Sequence, residues 1–139
     1  MEWMILPFKR YADFSGRSRR KEYWMFQLFN LLVILLFFFL FVATARAAGD
    51  TGSTGEAGPL EIVLISAVCL YLVAALIPAL AVEVRRFHDQ GKSGWNFLWR
   101  FFPGIGGLII LFFMVQNGSG GENAYGPDPK EDSTAGIFD

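Results

Sequence analysis

Tyr23–Ala45 reads YWMFQLFNLLVILLFFFLFVATA, 23 residues without a charge, set between Glu22 and Arg46. At about 1.5 Å per residue a helix over this stretch is roughly 34 Å long, enough to cross a hydrocarbon core of about 30 Å. From Phe26 to Val42, fifteen residues are Leu, Ile, Phe or Val. At roughly −0.4 kcal/mol each on an insertion scale, they contribute about −6 kcal/mol. The alternative is a core helix of a soluble domain. It fails because Leu31–Val42 is apolar all round and has no polar face to show to water.

A second block repeats the pattern. Ile62–Val82 has 21 residues without a charge. It is richer in small residues, and Ala75 and Ala79 share a face on which another helix can approach closely. Pro78 is tolerated in a bilayer where neighbours re-satisfy the freed carbonyl, and it predicts a kink. A third block is weaker. Phe101–Val115 gives only 15 residues, and extending back to Trp95 brings in Asn96 and Arg100. Arg100 can snorkel to the interface. Pro103, Gly104, Gly106 and Gly107 interrupt the run, which predicts either a kinked third span or a re-entrant hairpin. The kinked span is preferred. The expected fold is an all-α integral membrane protein, a small helical bundle of three membrane segments with the third Pro/Gly-kinked or re-entrant.

The composition agrees. Of 139 residues, 53% are apolar and 18% charged, against about 25% charged in an average soluble domain. Disorder of the whole chain is excluded. A disulfide scaffold is excluded by the single Cys69. One His and one Cys cannot close a four-ligand zinc shell unaided, so no metal site is expected. A net charge of −1 gives no reason to expect nucleic acid.

The scarce charge is unevenly placed. Residues 1–24 carry Lys9, Arg10, Arg17, Arg19, Arg20 and Lys21. The connection 46–61 has only Arg46. Residues 83–100 carry Arg85, Arg86, Lys92 and Arg100, and the tail has Lys130 alone. The positive-inside rule then puts the N terminus and the middle loop in the cytoplasm. The resulting map is a cytoplasmic basic/aromatic segment 1–22, a transmembrane helix 23–45, an external Gly/Thr-rich loop 46–61 and a second transmembrane helix 62–84. A cytoplasmic RRFHDQGKSG loop 85–94, a third membrane segment 95–116 and a polar tail 117–139 follow. Three spans put the tail outside; a re-entrant third segment puts it inside. Gly49–Pro59 is expected to be a flexible connector.

Some motifs fail on inspection. Ser18-Arg19-Arg20 before an apolar run is like a twin-arginine export signal, but the apolar stretch is too long for one and reads as an uncleaved anchor. Gly91-Lys92-Ser93 ends like a phosphate-binding loop, yet the position that needs the first Gly is Arg86. Asn30 and Gln27 in the first span read as interhelical hydrogen-bonding residues.

Three polar segments remain as candidates for function. The first is FSGRSRRKEYW, Phe14–Trp24, with Arg17, Arg19, Arg20, Glu22 and Trp24. The second is RRFHDQGKSGW, Arg85–Trp95, with Arg85, Arg86, His88, Asp89, Lys92 and Trp95. The third, GENAYGPDP, Gly121–Pro129, carries Asn123, Tyr125 and Asp128. Interfacial anchoring explains the bases and tryptophans, since Trp sits at headgroup level and Lys/Arg meet anionic lipid. It does not explain the acids. Glu22 or Asp89 paired with Arg85 or Arg86 would clamp the middle loop onto the N-terminal segment, and Asp89 would fix the His88 tautomer. Turn formation is the plain reading of Gly126-Pro127-Asp128-Pro129.

These segments resemble the YhaH/YhaI-type bacterial inner-membrane family, a domain of unknown function. Its marks are Y-x-x-F-S-G-R-x-R-R-K-E-[YF]-W, R-R-[LF]-H-D-x-G-[KR]-S-G-W and G-x-N-x-Y-G-P-[DN]-P, matched here from Tyr11, Arg85 and Gly121. The resemblance implies a multi-pass bacterial inner (plasma) membrane protein of unassigned role, lends no catalytic residues, and suggests that the three segments belong together. If they meet on one face, the third block is re-entrant.

The expected function is non-enzymatic: a cytoplasmic-face cluster binding anionic phospholipid headgroups or a membrane protein partner, with a homo-oligomer formed through the small face of the second helix. The alternatives are an oligomeric transporter or channel component and, last, a membrane-face enzyme using His88 and Asp89. No catalytic, cofactor-binding or metal-ligating residue is assigned.

Overall fold

The computed structural model describes residues 2–50 and 58–130, with only the backbone described at 48–50. Most of the expected connector Gly49–Pro59, and the tail beyond Lys130, lie outside the described residues. The described chain is helical, apart from one isolated bridge between Asn123 and Gly126. Its elements are α1 (Glu2–Lys9), α2 (Arg20–Asp50), α3 (Pro59–Asp89), a 3₁₀ helix (Gly94–Phe101) and α4 (Gly106–Val115).

The charge-free blocks became the two long helices. Each has 31 residues, about 46 Å of helix. Both are long and apolar enough to cross a membrane. Within the most apolar eighteen-residue window, α2 buries none of its residues and α3 buries 11%, so neither is the core helix of a soluble domain. Pro59 begins α3, where its missing N–H costs nothing. The Glu61 carboxylate accepts from the Gly58 N–H at 3.2 Å. The helix continues through Pro78, which is buried. Asn30 bonds across helices as expected: the Tyr71 hydroxyl donates to its Oδ1 at 2.6 Å.

Two features differ from the sequence reading. First, α3 runs to Asp89, so Arg85–Asp89 form its last turn and not a loop. Gly91, at φ 69°, then turns the chain away. Second, α1 was not foreseen. Its apolar residues lie against α2, with the Phe8 ring 5.3 Å from that of Phe26 and 6.0 Å from Phe29. Glu2 in its first turn and Lys9 in its last complement its dipole. The small face of α3 takes a close neighbour within the chain: Ala75 is buried and Ala79 packs against the core.

The third block is broken where the Pro/Gly cluster predicted. A 3₁₀ helix, with Ser93 Oγ accepting from the Trp95 N–H at 3.4 Å, ends at Phe101, and α4 starts at Gly106. The two pieces are tightly apposed. A Cβ at Gly106 would collide with the Trp99 carbonyl oxygen. The segment begins beside α3, where a Cβ at Gly94 would lie 2.7 Å from Val84. It ends beside α3 as well, where Gln90 Nε2 donates to the Phe113 carbonyl at 2.5 Å. Arg20 donates to the Val115 carbonyl at 3.1 Å. Both ends of the block therefore sit at the same end of the helix pair, which is the geometry of a hairpin. The core lies there too: Tyr23, Phe26, Val82, Phe87, Ile110 and Met114.

Candidate functional site

The polar segments meet at that shared end, and Arg17 joins them. Gly16 has φ 75°, a conformation glycine takes without strain, and it turns Arg17 inward. The next residue is pinned by the Ser18 N–H donating to the Arg85 carbonyl at 3.1 Å. The Arg17 side chain is 1% exposed. Its Nε donates to Asp89 Oδ1 at 3.0 Å. Nη1 donates to the Gly121 carbonyl at 2.6 Å and the Gly126 carbonyl at 3.3 Å. Nη2 reaches the Ser119 carbonyl at 2.5 Å, and Asp128 stands 4.0 Å away. One guanidinium thus holds the N-terminal segment, the end of α3 and the tail.

The remaining charges are sorted around it. Asp89 also takes Arg86, which in turn donates to the Gln116 carbonyl. Arg85 pairs with Glu22 at 3.2 Å. Both ion pairs are those expected from the sequence. Among these residues the three buried cations Arg17, Arg85 and Arg86 face the three buried anions Glu22, Asp89 and Asp128. Such neutrality is what a low dielectric demands, because an unpaired buried charge is costly. The Asp128 carboxyl is lowered, first by the Lys130 N–H, with the Gly121 N–H and the Arg17 charge adding to it. A further ion pair lies one helical turn away on α3, where Arg100 donates to the fully buried Glu83.

The tail folds over this cluster. The Ser119 N–H donates to the Asp89 carbonyl at 2.8 Å. Asn123 Nδ2 donates to the His88 carbonyl at 3.0 Å and to Ser119 Oγ at 2.9 Å. Asn123 and Gly126 exchange backbone hydrogen bonds at 3.1 and 3.0 Å, making a tight turn that presents Tyr125. The Tyr125 ring stacks on His88, centroids 4.0 Å apart and 4° from parallel. Gly118 fits only because it lacks a side chain, since a Cβ would collide with the Asp89 carboxylate.

His88 is oriented by a different group from the one expected. Its Nδ1 lies 3.3 Å from the Gly16 carbonyl. A carbonyl only accepts, so Nδ1 carries the proton in the neutral ring. Asp89 is occupied by Arg17 and Arg86.

The other candidates lie outside the cluster. Lys92 sits over the Phe113 ring at 3.8 Å and donates to Gln90 and Gln116. Burial lowers its pKa, and the Arg86 charge lowers it further. Arg19 lies over Trp3 at 5.8 Å. Arg20, Lys21, Trp24 and Trp95 are exposed. Sequence reasoning missed Gly118, Ser119 and the Glu83–Arg100 pair. The last had a visible signal, a lone acid and a lone base at facing edges of two apolar blocks. Among the described residues no group of three or more His, Cys, Asp or Glu is placed to hold a metal ion.

A family model described as a protein of unknown function (DUF805) matches residues 11–127. The chain is 40% identical over 131 residues to inner membrane protein YhaI of Escherichia coli (strain K12), covering 94% of this chain and 97% of that one. It is 39% identical over 130 residues to inner membrane protein YhaH of the same organism, covering 94% and 98%. No solved structure matches.

Proposed function

The chain belongs to the DUF805 family, and from that premise we propose that it is a non-enzymatic multi-pass protein whose cytoplasmic cap binds anionic phospholipid headgroups. The observation that carries this reading is a division of labour among the bases. Arg17, Arg85 and Arg86 are buried against partners within the chain, whereas Lys9, Arg20 and Lys21 stay exposed, Arg20 giving one N–H to the Val115 carbonyl. Beside them a cleft of about 320 Å³ opens between α1 and the tail, lined by Trp3, Arg10, Arg17, Arg19, Glu22 and Pro129. Exposed bases near a membrane surface contribute about 1 kcal/mol each toward anionic lipid. On this reading α2 and α3 span the bilayer, the third block is re-entrant, and the N terminus and the tail both face the cytoplasm.

The test is lipid retention. In nanodiscs of mixed phosphatidylglycerol and phosphatidylcholine, the variant Arg19→Gln/Arg20→Gln/Lys21→Gln is expected to enrich phosphatidylglycerol several-fold less than the parent at equal folded fraction. Equal enrichment overturns the headgroup reading. Topology is tested by replacing Cys69 with Ala and placing single cysteines at residues 46 and 130. Position 130 is expected to label from the cytoplasmic side and 46 from the other.

A second reading, a transporter component acting as an oligomer, draws on the Glu83–Arg100 pair beside a broken helix, since discontinuous helices form substrate sites in transporters. It requires a stable oligomer, which cross-linking in native membranes would reveal.

A further inference from the structure

A second cleft, of about 300 Å³, lies where the end of α3, the start of the 3₁₀ helix and the tail turn converge. That volume is at the lower limit of small-molecule sites. Val84, His88, Gly94, Trp95, Phe97 and Tyr125 line it together with Ser93, and none carries a formal charge apart from what His88 can gain. Its walls are two ring pairs. His88 stacks on Tyr125, and Trp95 stacks on Phe97 with centroids 6.4 Å apart and 27° from parallel.

One acceptor of fixed sense stands at the cleft. His88 Nδ1 is fixed as a donor by the Gly16 carbonyl, so Nε2 of the neutral ring is an acceptor. Nε2 faces Gly94, where a Cβ would come within 3.1 Å of it. A side chain at 94 would crowd that lone pair. Ser93 Oγ accepts from the Trp95 N–H, and the hydroxyls of Ser93 and Tyr125 and the Trp95 indole N–H supply donors among the lining residues. Trp95 itself is 73% exposed at the cleft.

These features select among ligand chemistries. A phosphate has no cation to meet here. An ammonium has no carboxylate, and contact with aromatic faces alone returns only about 0.5–2 kcal/mol. A neutral planar ring suits stacked aromatic walls, and a hydroxyl on that ring supplies the proton Nε2 lacks. Trp95 and Phe97 of the cleft belong to the third block, whose Leu98, Phe101 and Phe102 are exposed, so a ring carried on a lipid tail can reach it from the bilayer.

We propose that this cleft binds the ring of a membrane quinol, a neutral dihydroxy-aromatic headgroup whose hydroxyl donates to His88 Nε2. The inference is one of binding alone, independent of the headgroup-binding rim. The quinol is favoured over its quinone because quinone oxygens only accept: they can meet the Trp95 and Tyr125 donors but leave Nε2 unpaired.

The experiment is equilibrium dialysis of decylubiquinol, kept reduced under nitrogen, into phosphatidylcholine nanodiscs with and without the full-length protein. Excess retention of about one quinol per chain is expected, with decylubiquinone weaker by roughly the worth of one hydrogen bond, up to about tenfold. His88→Phe removes the acceptor and keeps a ring for Tyr125, and is expected to weaken binding to a similar degree. Trp95→Ala, at an exposed position that leaves folding intact, is expected to weaken it as well. Retention no greater than in empty nanodiscs overturns the proposal. So does equal binding by Trp95→Ala and His88→Phe, or displacement of the quinol by decyltrimethylammonium at equal concentration.

Discussion

The two ends of the long helix pair differ in what they enclose. Where Arg20–Phe26 of α2 meets Ala81–Asp89 of α3, the enclosed residues include Glu22, Glu83, Arg85, Arg86 and Asp89. Along the rest of the same helices, apolar residues stand open: Leu36 is 60% exposed, Phe39 64% and Leu70 72%. In water this would be a protein turned inside out. In a bilayer it is the expected order. Lipid tails are as apolar as leucine, so burying Leu or Phe against another helix gains little. Charge is what must be hidden and paired. In this chain the paired charges and the apolar core share one end, and that end is where the tertiary structure is made.

That contrast predicts a gradient of mutational cost. The largest effect is expected for Arg17→Ala. It leaves Asp89 short of a partner and strands the carbonyls of Ser119, Gly121 and Gly126, at about 3–5 kcal/mol for a broken buried pair. Thermal unfolding in detergent measures it, and limited proteolysis should open the tail between residues 117 and 128. Gly118→Ala comes next, at about 1–3 kcal/mol for overpacking against the Asp89 carboxylate. Gly107→Ala, where a Cβ meets nothing within 4 Å, serves as its matched control. Tyr71→Phe removes the one bond from Tyr71 to Asn30 and is expected to cost about 0.6–1.7 kcal/mol. Phe39→Leu, on the open stretch, is expected to stay within about 0.5 kcal/mol. A cost for Phe39→Leu as large as that for Arg17→Ala would break the contrast, because the open end would then be packed against something.

The sequence made the open end legible and left the closed end largely hidden. Charge-free lengths at 23–45 and 62–82 forecast α2 and α3 because the bilayer imposes a length requirement that can be counted along one dimension. The Pro/Gly cluster at 103–107 forecast a break for an equally local reason. It could not forecast direction, since the return of α4 beside α3 depends on Gly106 against Trp99 and on Gln90 against Phe113. The ion pairs of Glu22 and Asp89 were guessed from sign alone. The Arg17 hub was not, because its acceptors are backbone carbonyls, which every residue possesses and no motif marks. The Gly16 carbonyl that orients His88 was hidden for the same reason. Helix α1 escaped notice because eight residues are too few to show a period.

Translation gives the Arg17 hub a further meaning. Arg17 precedes Ser119 by 102 residues and Gly126 by 109. At about 5–20 residues per second, synthesis separates the arginine from its carbonyls by roughly 5–20 s. Both long helices can enter the bilayer in that interval, while Arg17 still lies among water and headgroups. The clasp is therefore the last joint to close. A chain released short of Gly126 would be inserted but unfastened, with its arginines on view to the proteases that patrol the membrane surface.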